Sequence, residues 1–341
     1  VTGSTTAVKS TPAASIVLMN EQTVIQVLTS AFPKPSQPQP FPLQGSKRGQ
    51  SPIINALIPE AQPRWIEPFC GSAAASIGAR KAGRVGDVII SDINKDLIHL
   101  WQAILDDPTG LVDEYEKVWR SQFNDAGIVD DPRGYFNTVR ARFNESEVKE
   151  PADFLFILNR IVKAALRYGP NGVNQSADGR RLGAKPETVR QRIYGTAELM
   201  AGTKARHADW LTVLAEAGAD DIIYMDPPYQ GTSNSLDHRY KAGLSVDVFE
   251  AGVREGVSRD LSMIISYDAI AGPVTYGRAL APDLDLLTLD VLTGVSAQGT
   301  LLGRKQPSHE ALYLSPALVK RLGGRDAVAN RVDAHSLQIA V

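Results

Sequence analysis

With 341 residues, 43% of them apolar and 22% charged, the chain has the balance of an ordinary globular protein and room for one large or two medium domains. Its single cysteine, Cys70, excludes intrachain disulfides and fits a reducing cytoplasm, while five scattered histidines without cysteine pairs argue against a zinc site. Neither a membrane span of about 18 apolar residues nor a secretory leader core stands out, and a net charge of −2 looks unsuited to a nucleic-acid binder until its distribution is followed.

Residues 1–40 open with Ser, Thr and Ala, pass through an amphipathic stretch from Val24 to Phe32 and enter a Pro-Gln-Ser linker, so they are expected to be flexible or loosely docked. Trp65-Ile66-Glu67-Pro68-Phe69-Cys70-Gly71 then reads as a short strand and a tight glycine turn, followed by a small-residue helix through Ile77. Such a turn lets a cofactor approach the backbone. A second strand, Val88 to Ser91, ends in Asp92, where dinucleotide folds bind ribose hydroxyls. Strand, glycine turn, helix, strand and acid make a nucleotide-type half-site. The plainer reading is a generic α/β unit with Asp92 as a helix N-cap. Cys70 sits inside the turn and reads as a small packing residue, not as a nucleophile.

Helices are predicted from Leu111 to Phe123, Pro132 to Phe143, Ala152 to Arg167 and Pro186 to Ala201; the third, apolar nearly all round, is expected to be buried. Between Asn159 and Arg206 ten Lys or Arg face three Asp or Glu, a local charge near +7 that suits a phosphate-contacting face. Gly169 to Arg181 adds loop formers with amide and guanidinium groups, the side chains that read base edges.

The apolar run Ile222 to Met225 empties into Asp226-Pro227-Pro228-Tyr229. An exocyclic amine conjugated to an aromatic ring is a poor nucleophile. A carboxylate (Asp226) and a proline carbonyl (Pro227) that accept its N–H bonds would localise its lone pair for direct methyl transfer. Two prolines remove backbone donors, and Tyr229 offers a face on which an extruded base can stack. The polar loop from Gln230 to Lys241 is expected to close over DNA, with His238 and Arg239 as phosphate contacts. Leu284 to Leu292 and Ala311 to Leu314 read as paired final strands, joined by a loop carrying Arg304 and Lys305; signals are weak from Val319 onward.

Taken together, Gly45-Ser46-Lys47, Glu67 to Gly71, Ser91 to Leu97, Leu158-Asn159-Arg160, Arg167 to Gly172, Asp226 to Tyr229, Ser266-Tyr267-Asp268 and Glu310 to Tyr313 resemble, in order, the motifs of the Dam-like (α-group) DNA adenine-N6 methyltransferases. The resemblance spans roughly Phe41 to Pro316. It implies a Rossmann-like α/β sheet dependent on S-adenosylmethionine, built from 41–106 and 216–318, with a mostly helical target-recognition insertion at 107–215 and a tail at 319–341. It also implies that Lys47, Glu67, Phe69, Gly71, Asp92 and Asp226 serve the cofactor, and that Asp226, Pro227, Pro228 and Tyr229 are catalytic. Arg160, Arg167, Asn171, Asn174, Arg180, Arg181, His238 and Arg239 would contact double-stranded DNA. Two departures stand out. Ala73 replaces the second glycine, which suits a residue already in the first helical turn, and Leu43 replaces a pocket aromatic, so Leu43 is not assigned to the site.

The expected reaction is direct transfer of the sulfonium methyl to adenine N6 of a flipped base, without metal or covalent enzyme intermediate. Cytosine-N4 methylation shares the amine logic, although that group more often carries Ser in place of Asp226. RNA or glutamine methyltransferases usually place Asn before Pro-Pro-Tyr. A catalytically idle DNA-binding protein is the alternative from a different class. Pairing with a restriction endonuclease and the oligomeric state are left open by the sequence.

Overall fold

Short runs of apolar and β-branched residues, bounded by glycine turns and Asp-Pro steps, divide the chain into strands and helices around one ten-stranded sheet. The computed structural model describes residues 14–19, 22–177, 179, 181–228, 244–271, 274–276, 278–293 and 308–336. Strands β1 (Ala14–Met19) and β2 (Gln22–Leu28) form an edge hairpin, and a turn at Lys47–Gln50 leads into α1 (Ser51–Ala56). A βαβ unit follows, made of β3 (Gln62–Glu67), α2 (Ala74–Lys81) and β4 (Val85–Asp92). Next come α3 (Lys95–Asp106), α4 (Pro108–Arg120), α5 (Pro132–Glu145) and α6 (Pro151–Arg160), a small hairpin of β5 (Tyr168–Gly169) and β6 (Gly172–Val173), and α7 (Pro186–Leu199). Asp107 and Asp131 cap α4 and α5 by accepting the backbone N–H of Gly110 and Gly134, each with Pro in the first turn.

The chain re-enters the sheet as β7 (Lys204–His207), then runs through α8 (Trp210–Ala215), β8 (Ile222–Met225), α9 (Val246–Ser258), β9 (Ser262–Ala271), β10 (Val274–Tyr276), β11 (Leu287–Thr293) and β12 (Ser308–Leu314). Helices α10 (Pro316–Arg321) and α11 (Arg325–Ala334) complete it. The sheet order is β1-β2-β11-β12-β9-β8-β3-β4-β7, with β10 beside β9. Strands β7, β4, β3, β8 and β9 are parallel, and β12 runs against both β9 and β11. This is the Rossmann-like α/β arrangement expected from the sequence. All four residues of β8 are buried, as a parallel strand covered on both faces requires. From β3 the chain winds outward to β4 and β7, then returns to β8. Ligands of such sheets bind at this switch point, outside the carboxyl ends of the strands.

Several expectations are corrected. Residues 14–19 and 22–28, expected to be flexible or loosely docked, supply β1 and β2; β2 pairs in parallel with β11, and Ile25 and Val27 are fully buried. Their partner strand lies some 264 residues away, so local composition does not reveal it. The insertion is shorter than 107–215, because β7 belongs to the sheet and α8 packs beneath it. Nor is it a separate globule: Tyr115, Phe136 and Phe154 belong to the same core cluster as Trp65 and Val88 of the sheet. The predicted helix to Arg167 stops at Arg160, because Lys163 and Ala164 take left-handed φ values of 57° and 53°. In the tail, Arg331 of α11 donates to the carbonyls of Ala56 and Ile58.

Candidate active site

Glu67 ends β3, and the chain turns over the carboxyl edge of the sheet through Gly71, at φ +47°, where a Cβ would stand 3.2 Å from Leu43 Cδ2. Four bonds fix this turn. The Gly71 N–H donates to Asp92 Oδ2 at 3.0 Å, the Cys70 N–H to the Ser91 carbonyl at 2.9 Å and the Asn94 N–H to Asp92 Oδ1 at 2.8 Å, while Trp101 Nε1 donates to the Gly71 carbonyl at 2.9 Å. Asp92 is therefore the tie between turn and second strand, and the N-cap of α3 is Asn94, which accepts from the N–H groups of Asp96 and Leu97. Ala73 lies just outside α2, not in its first turn as expected, and takes the left-handed φ of 47° that a glycine would take at less cost.

Burial sets the protonation of this corner. Glu67 is 3% exposed, and burial pushes its carboxyl up to about 8 against the bonds that the Ser76 hydroxyl and N–H donate to it. Burial also raises Asp92, opposed by the N–H donors of Asn94 and Gly71, and raises the Cys70 thiol, which keeps it a poor nucleophile.

These groups line a cavity of about 390 Å³, which also takes in Lys47, Phe69, Asp226, Pro227 and Pro228. Asp226 leaves the buried end of β8 with 19% of its side chain exposed, and its Oδ1 stands 3.1 Å from Lys47 Nζ. Burial alone would lower the Lys47 ammonium, but Asp226 and then Glu310 outweigh it and raise it well above its ordinary range. Lys47 is thus a fixed cation beside the carboxylate. On the other side Phe69 meets Trp210 at 5.6 Å and Phe249 at 6.3 Å, giving the cavity an aromatic wall.

The sequence-predicted cofactor residues Lys47, Glu67, Phe69, Gly71, Asp92 and Asp226 all meet in this one cavity. Tyr229, Arg180, His238 and Arg239 lie outside the described residues. Arg167, Asn171, Asn174 and Arg181 are exposed on or beside the β5–β6 hairpin. Asn144 of α5 holds that hairpin by accepting the Val173 N–H and donating to the Val173 carbonyl, both at 2.9 Å, and Arg140 donates to the carbonyls of Asn174 and Gln175.

Arg160, expected to contact DNA, is a correction: it is 1% exposed, lies 5.7 Å and 5.5 Å from the rings of Phe136 and Phe156, and donates to the Pro132 carbonyl at 2.9 Å. Its guanidinium is a buried strut. The local positive charge is also partly neutralised, since Arg190 pairs with Asp113 and Glu116 and Arg206 with Glu216.

Sequence reasoning missed Leu43, Tyr168, Trp210 and Glu310. Leu43 was set aside for want of an aromatic ring, yet it walls the cavity above Gly71. Tyr168 lines the cavity too and donates to Asp96 Oδ2 at 2.8 Å and Asn94 Oδ1 at 3.1 Å, so the hairpin begins at the cavity wall. A tyrosine directly after Arg167, at the mouth of a predicted reading loop, was the available signal. Trp210 and Glu310 come in from other strand ends; Glu310 stood in a segment read only as part of a last strand, and Trp210 carried no signal.

The family described as D12 class N6 adenine-specific DNA methyltransferase matches residues 44–270. The Type II methyltransferase M.MjaIII of Methanocaldococcus jannaschii is 27% identical over 49% of this chain and 58% of its own length. The Retron Ec67 DNA adenine methylase of Escherichia coli is 27% identical over 50% of this chain and 57% of its own. The chain thus spans little more than half the length of these relatives. A solved structure titled as a SAM dependent methyltransferase from Agrobacterium tumefaciens superposes at a TM-score of 0.38 with 8% identity, over 90% of this chain and 72% of that one, a likeness too loose to argue from. Among the described residues no helix is long and apolar enough to cross a membrane, and no group of three or more His, Cys, Asp or Glu could hold a metal ion.

Proposed function

Because the chain belongs to the D12 class of N6 adenine-specific DNA methyltransferases, we propose that it methylates adenine N6 in double-stranded DNA with S-adenosylmethionine as donor. The observation that carries this is the meeting of Asp226 with Glu67, Gly71 and Asp92 in one cavity at the switch point of the sheet. The cavity suits the donor in shape and chemistry. A side chain at Gly71 would press on Leu43, so the backbone is left bare where a cofactor must come close, and the carboxyl groups of buried Glu67 and half-buried Asp92 await ammonium and hydroxyl groups. Asp92 would take the ribose hydroxyls, Glu67 the amino-acid end, and Phe69 the aromatic wall.

When bound, the donor supplies an electrophilic sulfonium methyl. The protein's own part is to prepare the acceptor. Asp226 and the Pro227 carbonyl take the N–H bonds of the target amine, drawing its lone pair out of the ring and toward the cavity. Lys47 fixes the Asp226 carboxylate beside it. No strong base is required, because the methylated ammonium is very acidic and loses its proton readily. Tyr229 would stack on the extruded base, whose removal from the duplex costs a few kcal/mol.

The insertion, taken as residues 107–203, is the proposed target-recognition unit. Its exposed hairpin carries Arg167, Asn171 and Asn174 on the same side chain–backbone frame that reaches the cavity through Tyr168. Transfer of labelled methyl to unmethylated genomic DNA, with nucleoside analysis of the product, tests the whole. N6-methyladenine should form and should fall by roughly 10²- to 10³-fold with Asp226→Ala. N4-methylcytosine as the product, or cofactor binding without any DNA product, would refute the proposal.

A further inference from the structure

Lys47 is buried between two carboxylates, not one. Its Nζ stands 3.1 Å from Asp226 Oδ1 and 3.6 Å from Glu310 Oε1, with 7% of its side chain exposed. Glu310 comes from β12, two strands away from the β8 end that carries Asp226. The register of β12 on β9 shifts between Glu310 and Ala311. Bulges of this kind recur beside active sites, where they re-aim a side chain. The other oxygen of Glu310 accepts from Gln50 Nε2, so one carboxylate engages both ends of the Lys47–Gln50 turn. Gln50 is buried and does not line the cavity.

The arrangement divides one cation between two anions. A lysine serving Asp226 alone would draw negative charge away from the carboxylate that has to polarise the target N–H bonds. We propose that Glu310 is a positioning residue for methyl transfer, which takes a share of the Lys47 charge and so keeps Asp226 a strong acceptor. This rests on the role given to Asp226 above. Glu310 does not line the cavity; it acts through Lys47. A purely spatial role, in which Glu310 only anchors the turn, makes the opposite prediction for conservative variants, because an amide of the same length can anchor as well as a carboxylate. Gln50 Oε1 is buried without a partner and could accept from such an amide.

The test compares single-turnover methyl transfer to duplex DNA, S-adenosylmethionine affinity and KM for DNA in the whole chain and three variants. Glu310→Gln should slow the transfer step by about tenfold or more while both binding constants stay within about threefold. Glu310→Asp, which keeps the charge, should recover most of the rate, and Gln50→Leu, which removes only the anchor, should stay near the unsubstituted protein. An unimpaired Glu310→Gln overturns the inference, as does Glu310→Asp or Gln50→Leu falling as far as Glu310→Gln. Should Glu310→Gln not fold, the other two decide: retained rate in both supports charge sharing, and loss in either overturns it. Unsubstituted protein that methylates no DNA would sink the functional proposal itself, an outcome distinct from active protein with an indifferent Glu310.

Discussion

On the proposed cofactor side of the cavity a carboxylate, Asp92, holds two backbone N–H groups of neighbouring turns in a setting where burial raises its pKa. On the proposed target side a neutral amide, Asn144, holds a hairpin whose strands are two residues each and whose tip is exposed. Bonds to charged groups are worth about 1.5–3 kcal/mol against about 1 for neutral ones, and a two-stranded hairpin does not persist alone in water. The contrast suits the two tasks proposed above. A cofactor that never varies calls for a rigid seat, whereas a duplex that must be scanned calls for a reading element held lightly enough to adjust.

The largest way to break that contrast is Asp92→Ala. It frees the Gly71 and Asn94 N–H groups at once and should weaken S-adenosylmethionine binding by about 10- to 100-fold, with non-specific DNA affinity unchanged. Isothermal titration with the cofactor and fluorescence anisotropy with duplex DNA would separate the two. Equal losses in both would mean that the sides are not independent.

A smaller effect is expected from Asn144→Ala, which removes both bonds to Val173 while leaving α5 intact. DNA affinity should fall by about 5- to 10-fold, as the loss of two neutral bonds allows, and cofactor affinity should hold. The link from Tyr168 to Asn94 and Asp96 is a route by which the change could cross to the proposed cofactor side. A fall in cofactor affinity that Tyr168→Phe reproduces would locate that crossing.

The same contrast explains what could be foreseen. Glu67, Gly71, Asp92 and Asp226 were legible because each sits at a strand end or glycine turn that a few adjacent residues define. Arg160 was misjudged because charge in a sequence window does not tell whether a guanidinium points to phosphate or stacks on Phe136 and Phe156. Strand β2 escaped because its partner β11 is remote in sequence, and Glu310 because its reach to Lys47 depends on the register of β12 on β9. Leu43 was dropped for its chemistry when its place beside Gly71 mattered more. Short-range encoding makes a site readable; long-range pairing hides it.

The smallest effect, and the sharpest probe of the rigid side, is a proton. Burial raises the Glu67 carboxyl from an ordinary 4.5 to about 8, so at neutral pH the folded, cofactor-free chain holds a proton there that the unfolded chain has lost. The stability linked to that proton is full below pH 4.5 and is lost as pH rises through 8. The thermal midpoint should therefore decline between pH 5 and 9, and less steeply in Glu67→Gln. A cationic donor in the same cavity favours the ionised form, so its binding at pH 7 should expel up to about one proton. Titration calorimetry in buffers of different ionisation enthalpy counts it. Release in the unsubstituted protein and none in Glu67→Gln would assign the proton to this carboxyl, whereas no release in either would mean that the free site already holds Glu67 ionised and that its seat is less dry than its burial implies.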